Sequence, residues 1–283
     1  MNRKLMAILA HPDDESLGMG GTLAKYAGEG VDVALLTATR GERGRFHGHR
    51  AEEEEHPGAA ALAGIREQEL RDAVSVLGVR RVSLLDYPDQ QLGCANPHEA
   101  IASIACELRR SRPDVVVTFG PDGAYGHPDH IAISQFTTAA TMVAADPAFV
   151  CNGAEAEQPH SVSKLYYLAW TEATFDAYQA AVGQLSSTVD GVVRRANPWP
   201  DWAVTTVIDT RRVWSTVWRA VSCHQSQLTG YARLKDLPSS QHEALWGTQS
   251  FYRAFSIVNG GKARETDLFE GIGRNAPPGG VRR

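Results

Sequence analysis

Ala10-His11-Pro12-Asp13-Asp14-Glu15 places an imidazole and three carboxylates within six consecutive residues. They follow an apolar run, Leu5-Met6-Ala7-Ile8-Leu9, which reads as a buried parallel strand. The proline after His11 keeps that histidine extended, and Pro12 itself suits a turn or a first helical position. His11, Asp13 and Asp14 therefore gather where a strand ends and a helix begins, the edge at which open α/β sheets bind ligands. A histidine and an aspartate suit a divalent metal, and a second aspartate beside them suits a general base. The unit recurs far downstream. Gly120-Pro121-Asp122-Gly123-Ala124-Tyr125-Gly126-His127-Pro128-Asp129-His130 follows a second apolar run, Val115 to Phe119. His127 and His130, three apart, share a side if a helix starts near Pro128. Two His-Pro-Asp units at two strand ends point to one site shared by neighbouring strands.

The elements that must position these residues alternate. Strands are expected at 4–10, 31–37, 81–86 and 114–119, and helices at 17–29, 59–78, 97–111 and 129–145. Such alternation predicts a mostly parallel sheet flanked by helices, with right-handed crossovers that bring His11, Thr39, Asp86 and Pro121 to one edge. Further on, Lys164 to Trp170 and Val204 to Ile208 read as strands, 176–189 as weakly helical, and Thr210 to about Gln227 as an amphipathic helix. Residues 1–270 are expected to form one α/β domain in which 150–270 supply a divergent cap or extension; the Gly-, Pro- and Arg-rich tail, 271–283, is expected to be disordered. Residues 41–58 read as a solvated loop, with a mobile lid as the alternative. Gly18-Met19-Gly20-Gly21 does not fit the dinucleotide fingerprint and reads as glycines that permit close packing.

Composition sets limits. With 43% hydrophobic and 22% charged residues, the 283-residue chain is globular in character and long enough to bury a sizeable core. A net charge of −5 gives no nucleic-acid footprint. The apolar runs are too short for a signal-peptide core or a membrane span. Cys94, Cys106, Cys151 and Cys223 are scattered, which argues against a cysteine metal site and suggests no disulfide framework, so a cytoplasmic setting is expected. Oligomeric state is not readable.

The two His-containing motifs, in order with Thr39-Arg40-Gly41-Glu42-Arg43-Gly44, Ile65-Arg66-Glu67-Gln68-Glu69-Leu70, Tyr87-Pro88-Asp89 and His224-Gln225-Ser226-Gln227, resemble the LmbE-related, PIG-L-type zinc N-deacetylases. That family includes deacetylases of N-acetylglucosaminyl-phosphatidylinositol and of the mycothiol and bacillithiol precursors. The resemblance implies a Rossmann-like fold and hydrolysis of an N-acetylated amino sugar to acetate and a free amine. It implies zinc held by His11, Asp14 and His130, a two-His-one-carboxylate set with one position left for water. The same donors would accept iron(II) or cobalt(II). Asp13 is the implied general base. His127, protonated and oriented by Asp129, would serve the oxyanion or the leaving amine, with Tyr125 assisting. Asp129 could equally cap the following helix. Arg66 and Asp89 are the implied substrate contacts, against an ion pair with Glu67 or Glu69 for Arg66 and a turn for Asp89. One or two of Trp170, Trp199, Trp202 and Trp246 are expected as pocket walls, the rest as core. His224 is expected either to support a metal ligand or to cap a helix. Gln249 stands where family members often carry an acid. Two other readings compete: an amidase for a larger acyl group, and a sugar- or nucleotide-binding module that would leave the acid–base set idle.

Overall fold

A computed structural model describes residues 3–151, 157–189, 191–261 and 263–273. The tail expected to be disordered falls mostly outside these residues. The chain runs β1 (Lys4–Leu9), α1 (Asp14–Leu17), α2 (Gly20–Gly28), β2 (Asp32–Thr39), α3 (Ala59–Leu77), β3 (Arg81–Tyr87), α4 (Pro97–Ser111), β4 (Val115–Thr118), α5 (Gly123–Gly126), α6 (Pro128–Ala145) and β5 (Lys164–Leu168). It continues with α7 (Glu172–Val182), β6 (Ser186–Val189), β7 (Val192–Arg195), β8 (Thr206–Asp209), α8 (Trp214–Val221), α9 (Ala232–Lys235), α10 (Ser239–Trp246) and β9 (Thr248–Ser256).

Seven strands form one sheet in the order β3-β2-β1-β4-β5-β9-β8. The first five are parallel, and β9 and β8 close it antiparallel. β1 is buried on both faces, with Leu5 to Leu9 at most 1% exposed, and this is why it reads as an unbroken apolar run. Strand order reverses between β1 and β4, so the crevice beyond their carboxyl ends is the place where this architecture binds ligands. His11 leaves β1 and the Gly120–His130 stretch leaves β4 at that edge.

The chemistry of the helix starts follows from the same motifs. Pro128 occupies the first turn of α6, and His127 is its N-cap, accepting the Asp129 amide through Nδ1. The glycines after α1 serve packing. A Cβ on Gly21 would meet the Thr210 side chain at 2.9 Å, and one on Gly20 would meet Val217 of α8 at 3.0 Å. Gln249 uses both ends of its amide here: Oε1 accepts from Thr22, and Nε2 donates to the Gly18 carbonyl at 2.9 Å. An acid in its place would have no N–H for Gly18.

Three sequence expectations give way. The helix expected over 176–189 starts earlier and stops at Val182, before Gly183 at φ 85°, and the β6–β7 hairpin follows. The helix expected from Thr210 shrinks to Trp214–Val221 and ends in the turn that carries His224. Cys106 of α4 and Cys151, beyond α6, form a disulfide with Cα atoms 5.6 Å apart. Their separation of 45 residues hides a pairing that only the packing of α4 on α6 creates. Cys94 and Cys223 are free thiols. Among the described residues, no helix is long and apolar enough to cross a membrane.

Candidate active site

The residues after β1 and β4 meet around a cavity of about 220 Å³. His11, Asp13, Asp14, Arg66, Asp89, Tyr125, His127 and His130 all line it. His11 Nδ1 lies 3.2 Å from His130 Nε2. Asp14 closes a triangle, with Oδ1 3.3 Å from His130 Nε2 and Oδ2 3.5 Å from His11 Nδ1. Two imidazole nitrogens and the two oxygens of one carboxylate at such separations suit a small divalent ion with bonds of about 2.0–2.2 Å. His11 Nε2 faces away from this triangle, toward Asp129 Oδ2 at 3.1 Å and Asp89 Oδ1 at 3.2 Å. Donation of Nε2–H to these carboxylates leaves Nδ1 as the lone-pair donor, the usual outer support of a metal-binding histidine. His127 also brings a nitrogen within 4.8 Å of the His11 and His130 donors.

The charge balance points the same way. Four carboxylates, Asp13, Asp14, Asp89 and Asp129, are at least 92% buried around the site, and among the residues lining the cavity Arg66 is the permanent cation. Burial disfavours charge on His11, yet Asp129, Asp14 and Asp89 outweigh it and hold the imidazole above its ordinary range. Burial would raise Asp14, but His130 and His11 hold it well below the usual carboxylate range. Burial likewise opposes ionised Asp89, while the His11 bond holds it at about 2. The cluster asks for added positive charge, and a divalent ion on the His11–Asp14–His130 donors meets that demand.

Asp13 stands next to the triangle in an unusual backbone conformation, φ 101° and ψ −25°. Arg66 Nη2 reaches its Oδ2 at 3.1 Å. Burial raises the Asp13 carboxyl to about 6, with Arg66 pulling the other way. Arg66 is itself buried and donates to the carbonyls of Pro12 and Gly41. The surface pair with Glu67 or Glu69 is therefore replaced: Glu67 pairs with Arg40 and Arg71, and Glu69 accepts from Ser226. Gly41 sits at φ 64°, and a Cβ there would strike the Arg66 guanidinium. The 41–58 loop is also tied down by His47 N–H to the Ser226 carbonyl at 2.8 Å and by Gln227 Nε2 to the Arg45 carbonyl at 2.7 Å.

Asp129 does not do what the sequence suggests. Its carboxylate accepts from His11 and from the amides of Gln90, at 2.7 Å, and Leu92, at 3.1 Å, so it fixes His11 and the turn after β3. Only its backbone N–H reaches the His127 ring. With Nδ1 acting as that acceptor, His127 is neutral with its proton on Nε2. Burial and the charges of His11 and His130 push it down to about 4. The spacing His-x-Asp could not reveal this, because the partner of Asp129 lies 118 residues away. Asp89 also departs from a plain turn role, as its Oδ2 accepts the Arg43 amide at 3.0 Å while Oδ1 faces His11. Tyr125 stands within a turn whose Ala124 has φ 61°, its ring 5.3 Å from that of His130, and burial raises its hydroxyl well above the usual range.

Opposite the polar cluster the wall is apolar: Leu17, Leu168, Trp170, Tyr178, Val182 and Leu185. Trp170 stacks on Tyr178 at 4.7 Å and 8°. Of the four tryptophans, Trp170 forms part of this wall. Trp246 is buried in a second core, Trp199 donates to Asp122 at 3.2 Å, and Trp202 is 83% exposed. Tyr178, Val182 and Leu185 could not be anticipated, since they come from a helix and a loop that carry no motif.

The comparisons with known proteins agree with this geometry. A family model, GlcNAc-PI de-N-acetylase (PIG-L), matches residues 6–141. The 1D-myo-inositol 2-acetamido-2-deoxy-alpha-D-glucopyranoside deacetylase of Rhodococcus jostii (strain RHA1) is 35% identical, over 96% of this chain and 99% of its own. The protein of the same name from Rhodococcus opacus (strain B4) is 36% identical over the same shares. The chain belongs to the PIG-L family. Among solved structures, this PIG-L protein is similar to N,N'-diacetylchitobiose deacetylase from Pyrococcus horikoshii, with TM-score 0.60 and 23% identity over 85% of this chain and 73% of that one. It is also similar to GalB, the 4-carboxy-2-hydroxymuconate hydratase of Pseudomonas putida KT2440, with TM-score 0.67 and 17% identity over 92% and 100%. At these identities the structures establish the fold alone, and a shared fold does not by itself fix the reaction.

Proposed function

We propose that this chain is a metal-dependent N-deacetylase that removes acetyl from an N-acetylglucosaminyl conjugate, with 1D-myo-inositol 2-acetamido-2-deoxy-alpha-D-glucopyranoside as the first substrate to test. The observation that carries it is the triangle of His11, Asp14 and His130 with Asp13 beside it but outside it. The Rhodococcus relatives support the substrate class, since they match nearly the full chain.

The residues divide the work. His11, Asp14 and His130 would hold the metal, and zinc is our choice for it. Zinc supplies polarisation of the amide carbonyl and a lowered pKa for water. Asp13 takes the proton of the attacking water and passes it to the departing nitrogen, so that acetate and a free amine result. Arg66 keeps the Asp13 carboxylate aimed into the cavity. His127, with its proton on Nε2, donates to the carbonyl oxygen as negative charge develops there, and the Tyr125 hydroxyl is placed to assist. Asp89 and Asp129 orient His11. Gln90 and Gln227 are the more exposed polar side chains of the lining that a sugar would meet. A binding module would have no use for this acid–base set. A cytoplasmic site of action belongs to the same proposal; the Cys106–Cys151 bridge argues the other way, and alkylation of free thiols in the intact source cells, before lysis, tells whether the bridge exists there.

The test is free-amine release across a panel of N-acetylglucosaminyl conjugates, with chelator and with zinc restored. Release that stops with chelator and returns with zinc is expected, strongest on the inositol conjugate. No release from any conjugate by the metal-loaded protein would overturn the assignment.

A further inference from the structure

We propose that Glu15 and His224 form a buried clamp that holds Asp13 in its working conformation, and that both are positioning residues for the reaction. The inference rests on Asp13 being the base. Asp13 is a non-glycine residue at φ 101°, in a sparsely populated region that persists only where surrounding bonds enforce it. Glu15 supplies that enforcement. Its Oε2 accepts the Asp13 amide at 2.9 Å, and its Oε1 accepts from Ser16 Oγ and from His224 Nε2 at 2.8 Å. Glu15 is fully buried and His224 is 1% exposed. A buried carboxylate turns toward a backbone amide at least cost when its other oxygen is satisfied; Ser16 does part of this locally, and His224 completes it from the opposite half of the chain.

His224 is aimed by its own surroundings. It follows α8, which packs against α1, α2 and α3, and its amide bonds back to the Val221 carbonyl. Two residues on, Ser226 fixes the turn by donating its amide and its hydroxyl to Glu69 at 2.6 and 2.7 Å. Asp13 is thereby gripped twice: Glu15 holds its backbone, and Arg66 holds its carboxylate. The late His-x-Ser-Gln motif thus acts on the first motif from more than 200 residues away. Neither Glu15 nor His224 lines the cavity, so neither touches the reacting atoms.

Three variants test the clamp: His224→Ala, His224→Gln and Glu15→Gln. Turnover, KM, bound zinc per chain and thermal unfolding are measured for each. His224→Ala is expected to lower kcat about 10–100-fold, with KM and zinc content little changed. His224→Gln keeps an N–H donor for Glu15 and is expected to regain most of the loss. Glu15→Gln turns an N–H toward donors and is expected to lose as much as His224→Ala. Unchanged kcat in His224→Ala, equal losses in His224→Ala and His224→Gln, or zinc lost in step with kcat would overturn the proposal. Failure of both His224→Ala and Glu15→Gln to fold would also overturn it, because the pair would then serve the fold alone. Crystal structures of the folded variants give a readout independent of turnover. Asp13 is expected to leave its positive φ in His224→Ala and to keep it in His224→Gln. Asp13 unmoved in both would contradict the clamp. If the wild-type protein releases no amine from any conjugate, the functional assignment fails, and the crystallographic comparison still decides the clamp.

Discussion

Among the described residues, two clusters of buried charge are built differently. One joins Lys164 at the start of β5 to the end of the described chain. Glu265 accepts from Lys164 at 2.6 Å, Arg253 at 2.8 Å, Tyr166 at 2.6 Å, Thr206 at 2.9 Å and Asn259 at 2.6 Å. Its carboxylate is met by two cations and three neutral donors, and Lys164 is fully buried. The other cluster, beyond β1 and β4, gathers carboxylates in excess of cations and opens onto a cavity. A closed cluster whose one carboxylate is saturated by cations and neutral donors holds strands together. An unbalanced, open one has capacity left for an ion and a substrate, and this difference marks where the chemistry is.

The comparison can be broken at its closed side first. Glu265→Gln leaves Lys164 and Arg253 buried without a carboxylate, so unfolding by denaturant should show a loss of about 3–5 kcal/mol. Turnover per folded molecule should stay unchanged. Reduced turnover in a fully folded variant would mean that the two clusters are not separate in role.

A smaller effect lies in the pH dependence of stability. Burial would raise Glu265, but its bonds from Lys164, Tyr166, Asn259 and Thr206 hold it at about 2, below its ordinary value of 4.5. A carboxyl lowered on folding stabilises the fold above the unfolded pKa, and that contribution is lost as pH falls through the folded one. Stability should therefore drop between pH 4.5 and 2, and the drop should be shallower in Glu265→Gln. An unchanged slope in the variant would show that other carboxyls dominate.

The smallest effect sharpens the open side. Trp170→Ala removes a stacked ring from the apolar wall and should weaken substrate binding by about 1 kcal/mol, roughly fivefold in KM, with kcat little changed. A fall in kcat with KM intact would place Trp170 among the groups that act on the transition state.

The two clusters also differ in how far they could be read from the sequence. The open one announces itself because His11, Asp13 and Asp14, and then His127 and His130, are packed into short motifs after apolar strands. Contiguity makes both the residue types and the strand ends visible. The pairing of these side chains is another matter. Asp129 bonds His11 across 118 residues, not the nearby His127, and nothing in local spacing encodes that choice. Glu265 and its partners were not readable, because Lys164, Arg253 and Glu265 are ordinary charges until β5 pairs with β9 and Glu265 bridges to Thr206 of β8. The apolar wall was equally hidden. α7 ends at a glycine with positive φ, and the β6–β7 hairpin that follows is polar and shows no clear alternation. The parallel half of the sheet was legible within a residue or two, since β1 and β4 are buried runs of almost purely apolar residues and β2 and β3 carry apolar stretches between helical patterns.

The measurement that tests the central claim most directly compares Asp13→Asn with Asp14→Asn, reading bound zinc per chain and amine release together. These neighbouring carboxylates are assigned different tasks on geometry alone. Asp14→Asn should lose zinc. Asp13→Asn should keep zinc and lose turnover by about 10²–10⁴-fold. Zinc lost from Asp13→Asn, or turnover retained by it, would contradict the division of labour on which the site rests.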